Sequence, residues 1–202
     1  FLGRLKLAMT GFDHPAGHRD FPWDVAYIDF IKDQKHQLNR NEELVDYFIE
    51  KYQQNVLPVS DSFRKAMNHN DANEHNVLVD DNGNIIGIID FGDMIHTFIA
   101  CEPAVCMAYV ALEKDDPLLS IKQVLKGFHD QFPLTEIELS KVVYLLCMRS
   151  CITLTMAAYR MKLFPENEYI SVNKNQAFQF LTRMKYENLK AWSETLVNYC
   201  ES

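Results

Sequence analysis

Three oxygen-bearing side chains, Asp71, Asn76 and Asp90, stand within residues 68–93 of this chain, which read NHNDANEHNVLVDDNGNIIGIIDFGD. Carboxylates and a side-chain amide are the ligands that magnesium takes. A carboxylate held near such an ion can also accept the proton of a hydroxyl. Asp93 adds a third acid, and a phosphate entering a cleft lined by Asp71, Asp90 and Asp93 would meet like charges unless a cation came with it. His69, two residues before Asp71, completes the cluster.

A hairpin must position these groups. Two apolar, β-branched runs, 77–79 and 85–89, flank Asp80-Asp81-Asn82-Gly83-Asn84, which is turn chemistry. With the turn centred near Gly83, paired residues have numbers summing to about 166, so Asn76 is predicted opposite Asp90, roughly 5 Å away at Cα. Asp71, on the loop entering the hairpin, would then point into the mouth that the other two line.

The pattern H-x-D-x-x-x-x-N at 69–76, followed by strand, turn, strand and I-D-F-G-D at 89–93, resembles the catalytic core of the aminoglycoside phosphotransferase and choline kinase group, relatives of the protein kinases. The loop 12–24 is similar to that of the hydroxylysine kinase-like branch. The resemblance implies an α+β, mostly α-helical fold, a protein kinase-like C-terminal lobe with a small β-hairpin. It implies Mg2+ and ATP or GTP as cofactors. It also implies transfer of the γ-phosphoryl group to the hydroxyl of a small amine or amino acid, with hydroxylysine-, homoserine-, ethanolamine- and choline-like acceptors all open. Carried over residue by residue, Asp71 takes the hydroxyl proton, Asn76 holds one metal ion and Asp90 bridges metal to the phosphates. His69 matches the histidine that holds the loop, and Glu102 stands where an aspartate usually braces the metal loop. Asn70 stands where Gly or Arg is usual. Asp93 either braces the loop or meets substrate, and Arg149, Asp93 and Asp24 are the candidate substrate contacts.

In the kinase template a β-rich N-terminal lobe covers the phosphates. This chain has seven glycines and no G-x-G-x-x-G. Residues 1–202 are therefore expected to form the C-terminal catalytic lobe without the nucleotide-binding lobe, and to be inactive alone.

Around the hairpin the pattern is helical. Residues 1–12 repeat Leu2, Leu5 and Met9 at helical spacing; residues 24–38 place Val25, Ile28, Ile31 and Leu38 on one stripe, and 42–57 place Leu44, Phe48 and Tyr52 on another. Asn41 with Glu42 and Glu43 is a helix start. A third helix opens near Glu102 with Pro103 in its first turn. Helices are predicted over 118–131, 136–163 and 176–199, punctuated by Pro117, Pro133 and Pro165. Residues 142–155 are apolar almost all round and carry one charge, Arg149. A dry guanidinium needs a partner: either an acid such as Asp93 or Glu102, or a substrate carboxylate gripped by its planar fork. His14 and His18 have the spacing of zinc ligands on a helix, but Pro15 and Gly17 break that helix. His96 reads as a packed or surface histidine.

Composition limits the partners. With 48% hydrophobic residues the chain can bury one large core, and its net charge of -8 argues against nucleic acid or an anionic membrane. No apolar run is expected to reach a membrane span of about 20 residues. Five cysteines without a C-x-x-C pair suit a reducing, cytoplasmic setting, with Cys147 and Cys151 packed in the core. Two rival readings use the same residues: a kinase-like lobe that only binds, and a metal-dependent hydrolase of phosphate esters.

Overall fold

The computed structural model describes residues 1–164, 166 and 169–202, with side chains for all of these except 169–173. In chain order the elements are α1 Leu2–Ala8, α2 Asp29–Gln34, α3 Glu42–Asn55, β1 Lys65–Asn68, β2 Val77–Val79, β3 Ile85–Ile88, β4 Ile95–Phe98, α4 Cys101–Val110, α5 Pro117–His129, α6 Glu136–Leu163, α7 Tyr169–Tyr186 and α8 Leu189–Glu201. The axis is α6, whose bounds are those predicted. It starts on a capping box: Thr135 Oγ1 accepts from Glu138 N at 3.2 Å and the Glu138 carboxylate accepts from Thr135 N at 2.8 Å. Helices α3, α4, α7 and α8 pack around it. By length and composition α6 is apolar enough to cross a membrane, contrary to expectation, but 89% of its most apolar window is buried inside the protein, as in the centre of a core.

Two small antiparallel ladders frame the loops that matter. β2 pairs with β3 as the predicted hairpin, and β1 pairs with β4, Asn68 facing Ile95 and Met67 facing His96. The second ladder was not expected, because β1 begins with Lys65 and Ala66 and only its last two residues are buried. Its effect is topological. Both connections, 69–76 and 89–94, are held at each end by a ladder. Buried Glu138 anchors the start of β1 by accepting from Arg64 Nη2 at 2.6 Å and Arg64 N at 3.1 Å. Burial would raise the Glu138 carboxyl, but the Arg64 and Thr135 hydrogen bonds hold it below its ordinary value.

Val25, Ile28, Ile31 and Leu38 are all buried, yet no helix spans 24–38: α2 begins at Asp29, gives way to a 3-10 segment at Lys35–Asn41, and the chain kinks at Asn39, φ 52°. Asn tolerates that left-handed backbone. Asn41 precedes α3 as predicted but makes no side-chain cap bond. In α1 the buried side is Gly3 and Lys6 rather than the Leu2, Leu5, Met9 stripe. A Cβ at Gly3 would come within 2.6 Å of the Phe128 carbonyl, so α1 lies against α5 at glycine distance. The helix predicted at 176–199 is two, because Asn188 accepts from Ala191 N at 3.1 Å and starts α8. Pro165 lies outside the described residues.

Candidate active site

The loop leaving β1 is built from beneath. Lys6 reaches from α1 to donate to Met67 O at 2.7 Å and Asn68 Oδ1 at 2.6 Å. Burial lowers its ammonium to about 8. Glu102, in the first turn of α4, accepts from His69 N at 2.6 Å and also braces Asn70 N. Burial raises the Glu102 carboxyl, against the pull of Lys6 and these amides. His69 is fully buried. Its Nε2 donates to Ile89 O at 3.0 Å and its Nδ1 accepts from Asp71 N at 3.3 Å, which assigns the neutral Nε2-H tautomer and ties one loop to the other. Asn70 is left-handed, φ 67°, so the chain turns sharply just before Asp71.

Asp71 is the hub. Its Oδ1 accepts from Arg149 Nη2 at 3.2 Å and Tyr109 Oη at 3.3 Å, and its Oδ2 from Asn73 Nδ2 at 3.0 Å and Asn76 Nδ2 at 2.9 Å. Four donors occupy the roughly four acceptor sites of a carboxylate. Arg149 therefore has an acid partner, but not Asp93 or Glu102 as the sequence suggested. It also donates to Trp23 O at 3.0 Å, and its guanidinium lies 4.7 Å from the Trp23 ring centre. With 1% of its side chain exposed, it is committed to protein groups. Trp23, Tyr109 and Asn73 escaped the sequence reading. An aromatic hydroxyl within the apolar α4 was the signal for Tyr109, since a buried Tyr needs a polar partner.

The hairpin register corrects the predicted pairing by one. Val77 faces Ile88 and Leu78 faces Gly87, and Ile89 N donates to Asn76 O at 2.9 Å, so Asn76 lies opposite Ile89 and not Asp90. The cause is a three-residue turn, 81–83, closed by Asp80 and Asn84, with Gly83 at φ 80° and a bulge beside Leu78 and Val79. Asp90 is past the last pair, in a left-handed backbone, φ 62°, with its carboxylate accepting from Gly92 N at 3.2 Å. Arg19 supports this turn by donating to Gly92 O at 2.9 Å.

The acids nevertheless share one field. Burial raises the Asp93 carboxyl, Asp71 and Asp90 raise it further, and Arg149 and Arg19 oppose them. Asn76 spends its amide nitrogen on Asp71, and carboxylate and amide oxygens of the kind offered by Asp90 and Asn76 are donors that magnesium takes. Beside them opens a cavity of about 410 Å³ whose lining includes Trp23, Asp71, Asp93, Tyr109, Arg149 and Arg160. Asp24 does not line it. Buried, it accepts from Thr97 Oγ1 at 2.6 Å and Ala26 N at 3.0 Å, which pins the Trp23 loop to β4. The substrate contact expected of Asp24 is corrected to an anchor.

Comparison with known proteins decides the family. The phosphotransferase enzyme family profile matches residues 1–131. The chain belongs to the phosphotransferase enzyme family. Hydroxylysine kinases of Bos taurus and Mus musculus are each 31% identical to it over 215 residues, covering 97% of this chain and 57% of theirs. That of Danio rerio is 33% identical over 191 residues, covering 89% of this chain and 54% of its own. The chain thus spans a little over half the length of these relatives. Its mostly helical architecture with small antiparallel sheets is the protein kinase-like fold of this phosphotransferase family.

Proposed function

We propose that this phosphotransferase moves the γ-phosphoryl group of ATP or GTP to the hydroxyl of a small amine or amino acid, the hydroxylysine-like acceptors coming first because of the relatives it resembles. The observation that carries this reading is the Asp71 carboxylate, held by four donors at the wall of an open cavity beside Asp93. Asp71 accepts the acceptor's hydroxyl proton. Because its acceptor sites are full, an incoming hydroxyl has to displace a donor, and Tyr109, at 3.3 Å the longest of the four contacts, is the one to yield. Arg149 stays, buried, and keeps the carboxylate aimed. His69, Glu102 and Lys6 hold the loop and touch no substrate. Asn76 and Asp90 are the groups that would hold Mg2+, and the ion would neutralise charge developing on the transferred phosphoryl group. Free cysteines at all five positions suit a cytoplasmic setting.

The test is acceptor-dependent nucleotide consumption by the native full-length protein, across hydroxy amino acids and amino alcohols, with Asp71→Asn as control. Turnover should fall about 10²-fold or more in the variant, the scale of general base catalysis. Nucleotide consumption with no acceptor of the panel, or an Asp71→Asn variant within about threefold of the parent, overturns the reading.

A further inference from the structure

The 3-10 turn Pro15–Gly17 folds the chain back so that His18 Nε2 lies 2.7 Å from Asp13 Oδ1. Gly17 seats this turn on the β1–β4 ladder: a Cβ there would strike the end of the Met67 side chain, and Met67 is the strand partner of His96. The seat carries the His18 ring onto the His96 ring, centres 4.3 Å apart and planes 25° from parallel. One oxygen of Asp13 and one nitrogen each of His18 and His96 lie within 4.8 Å of one another. His14, whose spacing from His18 first suggests zinc, is not among them; its Nδ1 accepts from Ala16 N at 3.2 Å.

We propose that Asp13, His18 and His96 form a binding site for a zinc-like divalent transition ion, separate from the acids around Asp71. Ligands about 2.0–2.2 Å from a tetrahedral ion sit about 3.4 Å apart, so the three donors, within 4.8 Å of one another, converge on one ion once the stacked His18 and His96 rings turn out of parallel. The ion takes the place of the proton shared by His18 and Asp13, and the fourth position faces solvent. Two imidazoles and one carboxylate select zinc, copper or nickel over magnesium, which prefers oxygen. A metal here would cross-link the turn to β4. The next residue, Arg19, grips Gly92 O at 2.9 Å and Met94 O at 3.3 Å, so the ion would stiffen the brace under the Asp90 turn.

Titration of the chain with zinc, followed by calorimetry and by melting temperature, tests the site without reference to activity. One equivalent should bind and raise the melting temperature by mass action. His18→Ala and His96→Ala should each weaken binding about tenfold or more, Asp13→Asn should weaken it, and His14→Ala should leave it unchanged. Cobalt should give the visible absorption of a tetrahedral ion, lost in His96→Ala. Should an alanine variant fail to fold, His18→Gln and His96→Gln keep size and polarity and must show the same loss. Absence of saturable binding at millimolar zinc overturns the proposal. So does binding that survives both histidine changes, or binding lost instead on Asp90→Ala.

Discussion

Arg149→Met isolates the most telling contact in the molecule. Methionine fills nearly the same space along the helix and removes the charge. The guanidinium is 1% exposed and its partner carboxylate 20% exposed, 3.2 Å apart. Breaking a fully buried pair costs about 3–5 kcal/mol because the surviving charge is stranded. Asp71 is less stranded than that: Asn73, Asn76 and Tyr109 still donate to it, and water reaches one side. Against this, the Trp23 carbonyl loses its donor and the Trp23 ring its cation, a further 1 kcal/mol or so. The variant also sheds a buried Nε that has no hydrogen-bond partner. The net loss is about 2–3 kcal/mol, or about 5–10 °C of melting temperature for a domain of this size. Arg149→Lys should recover part of it, since the charge returns without the fork. A thermal double-mutant cycle with Asp71→Asn should give a coupling of at least about 1 kcal/mol. In the native full-length protein the loss of kcat/KM should be equal for acceptors with and without a carboxylate, because Arg149 already has its carboxylate. A melting temperature within about 1 °C of the parent, or additive effects in the cycle, would refute the reasoning.

Other substitutions probe other parts. Asp90→Ala should abolish Mg2+-dependent turnover and Asn76→Ala weaken it, with circular dichroism unchanged; full activity in either variant removes that residue from the metal set. Lys6 titrates near 8 in the fold against 10.5 for a free lysine. The unfolded chain therefore binds more protons between those values, and stability relative to Lys6→Met should rise with pH through that window. A difference that stays flat or falls there contradicts a buried, depressed Lys6. Gly3→Ala should cost about 1–3 kcal/mol by overpacking, since its Cβ would lie 2.6 Å from the Phe128 carbonyl. Gly127→Ala, on α5 with nothing within 4 Å, should stabilise by about 0.5–1 kcal/mol. Equal melting temperatures for these two glycine variants would contradict the packing of α1 on α5.

Residue types made part of this site legible before any coordinates. Carboxylates and an amide at fixed spacing around a hairpin signal limit the chemistry strongly, and α6 declares itself through residues 142–155, about four helical turns in which ten of fourteen residues are apolar and Arg149 is the one charge. Two things stayed hidden for physical reasons. The β1–β4 ladder pairs Lys65 with Phe98 and Asn68 with Ile95, strands of four residues whose alternation is too short to separate from a loop. Arg149 was recognisable as a buried charge, but its partner lies 78 positions away, and only tertiary packing could choose Asp71 over Asp93 or Glu102.

The register error shows what actually places Asp90. A hairpin shifted by one residue turns every side chain to the opposite face, so strict alternation past Ile89 would send the Asp90 carboxylate away from Asn76. The chain escapes that rule by leaving the strand at Asp90, where a left-handed backbone, the Gly92 N–H bond and the Arg19 brace replace the ladder. From that turn Asp90 still acts on Asp93, raising its carboxyl together with burial and Asp71. Asp90→Asn, which accepts the left-handed backbone and the Gly92 bond, should keep the fold and remove a negative charge from Asp93. The Asp93 carboxyl, raised above its ordinary value by burial and by its acid neighbours, should then titrate lower, a shift that carbon-detected NMR of the side chain would follow. An unchanged Asp93 titration in Asp90→Asn would mean that the turn points Asp90 elsewhere, and the metal assignment of Asp90 would go with it.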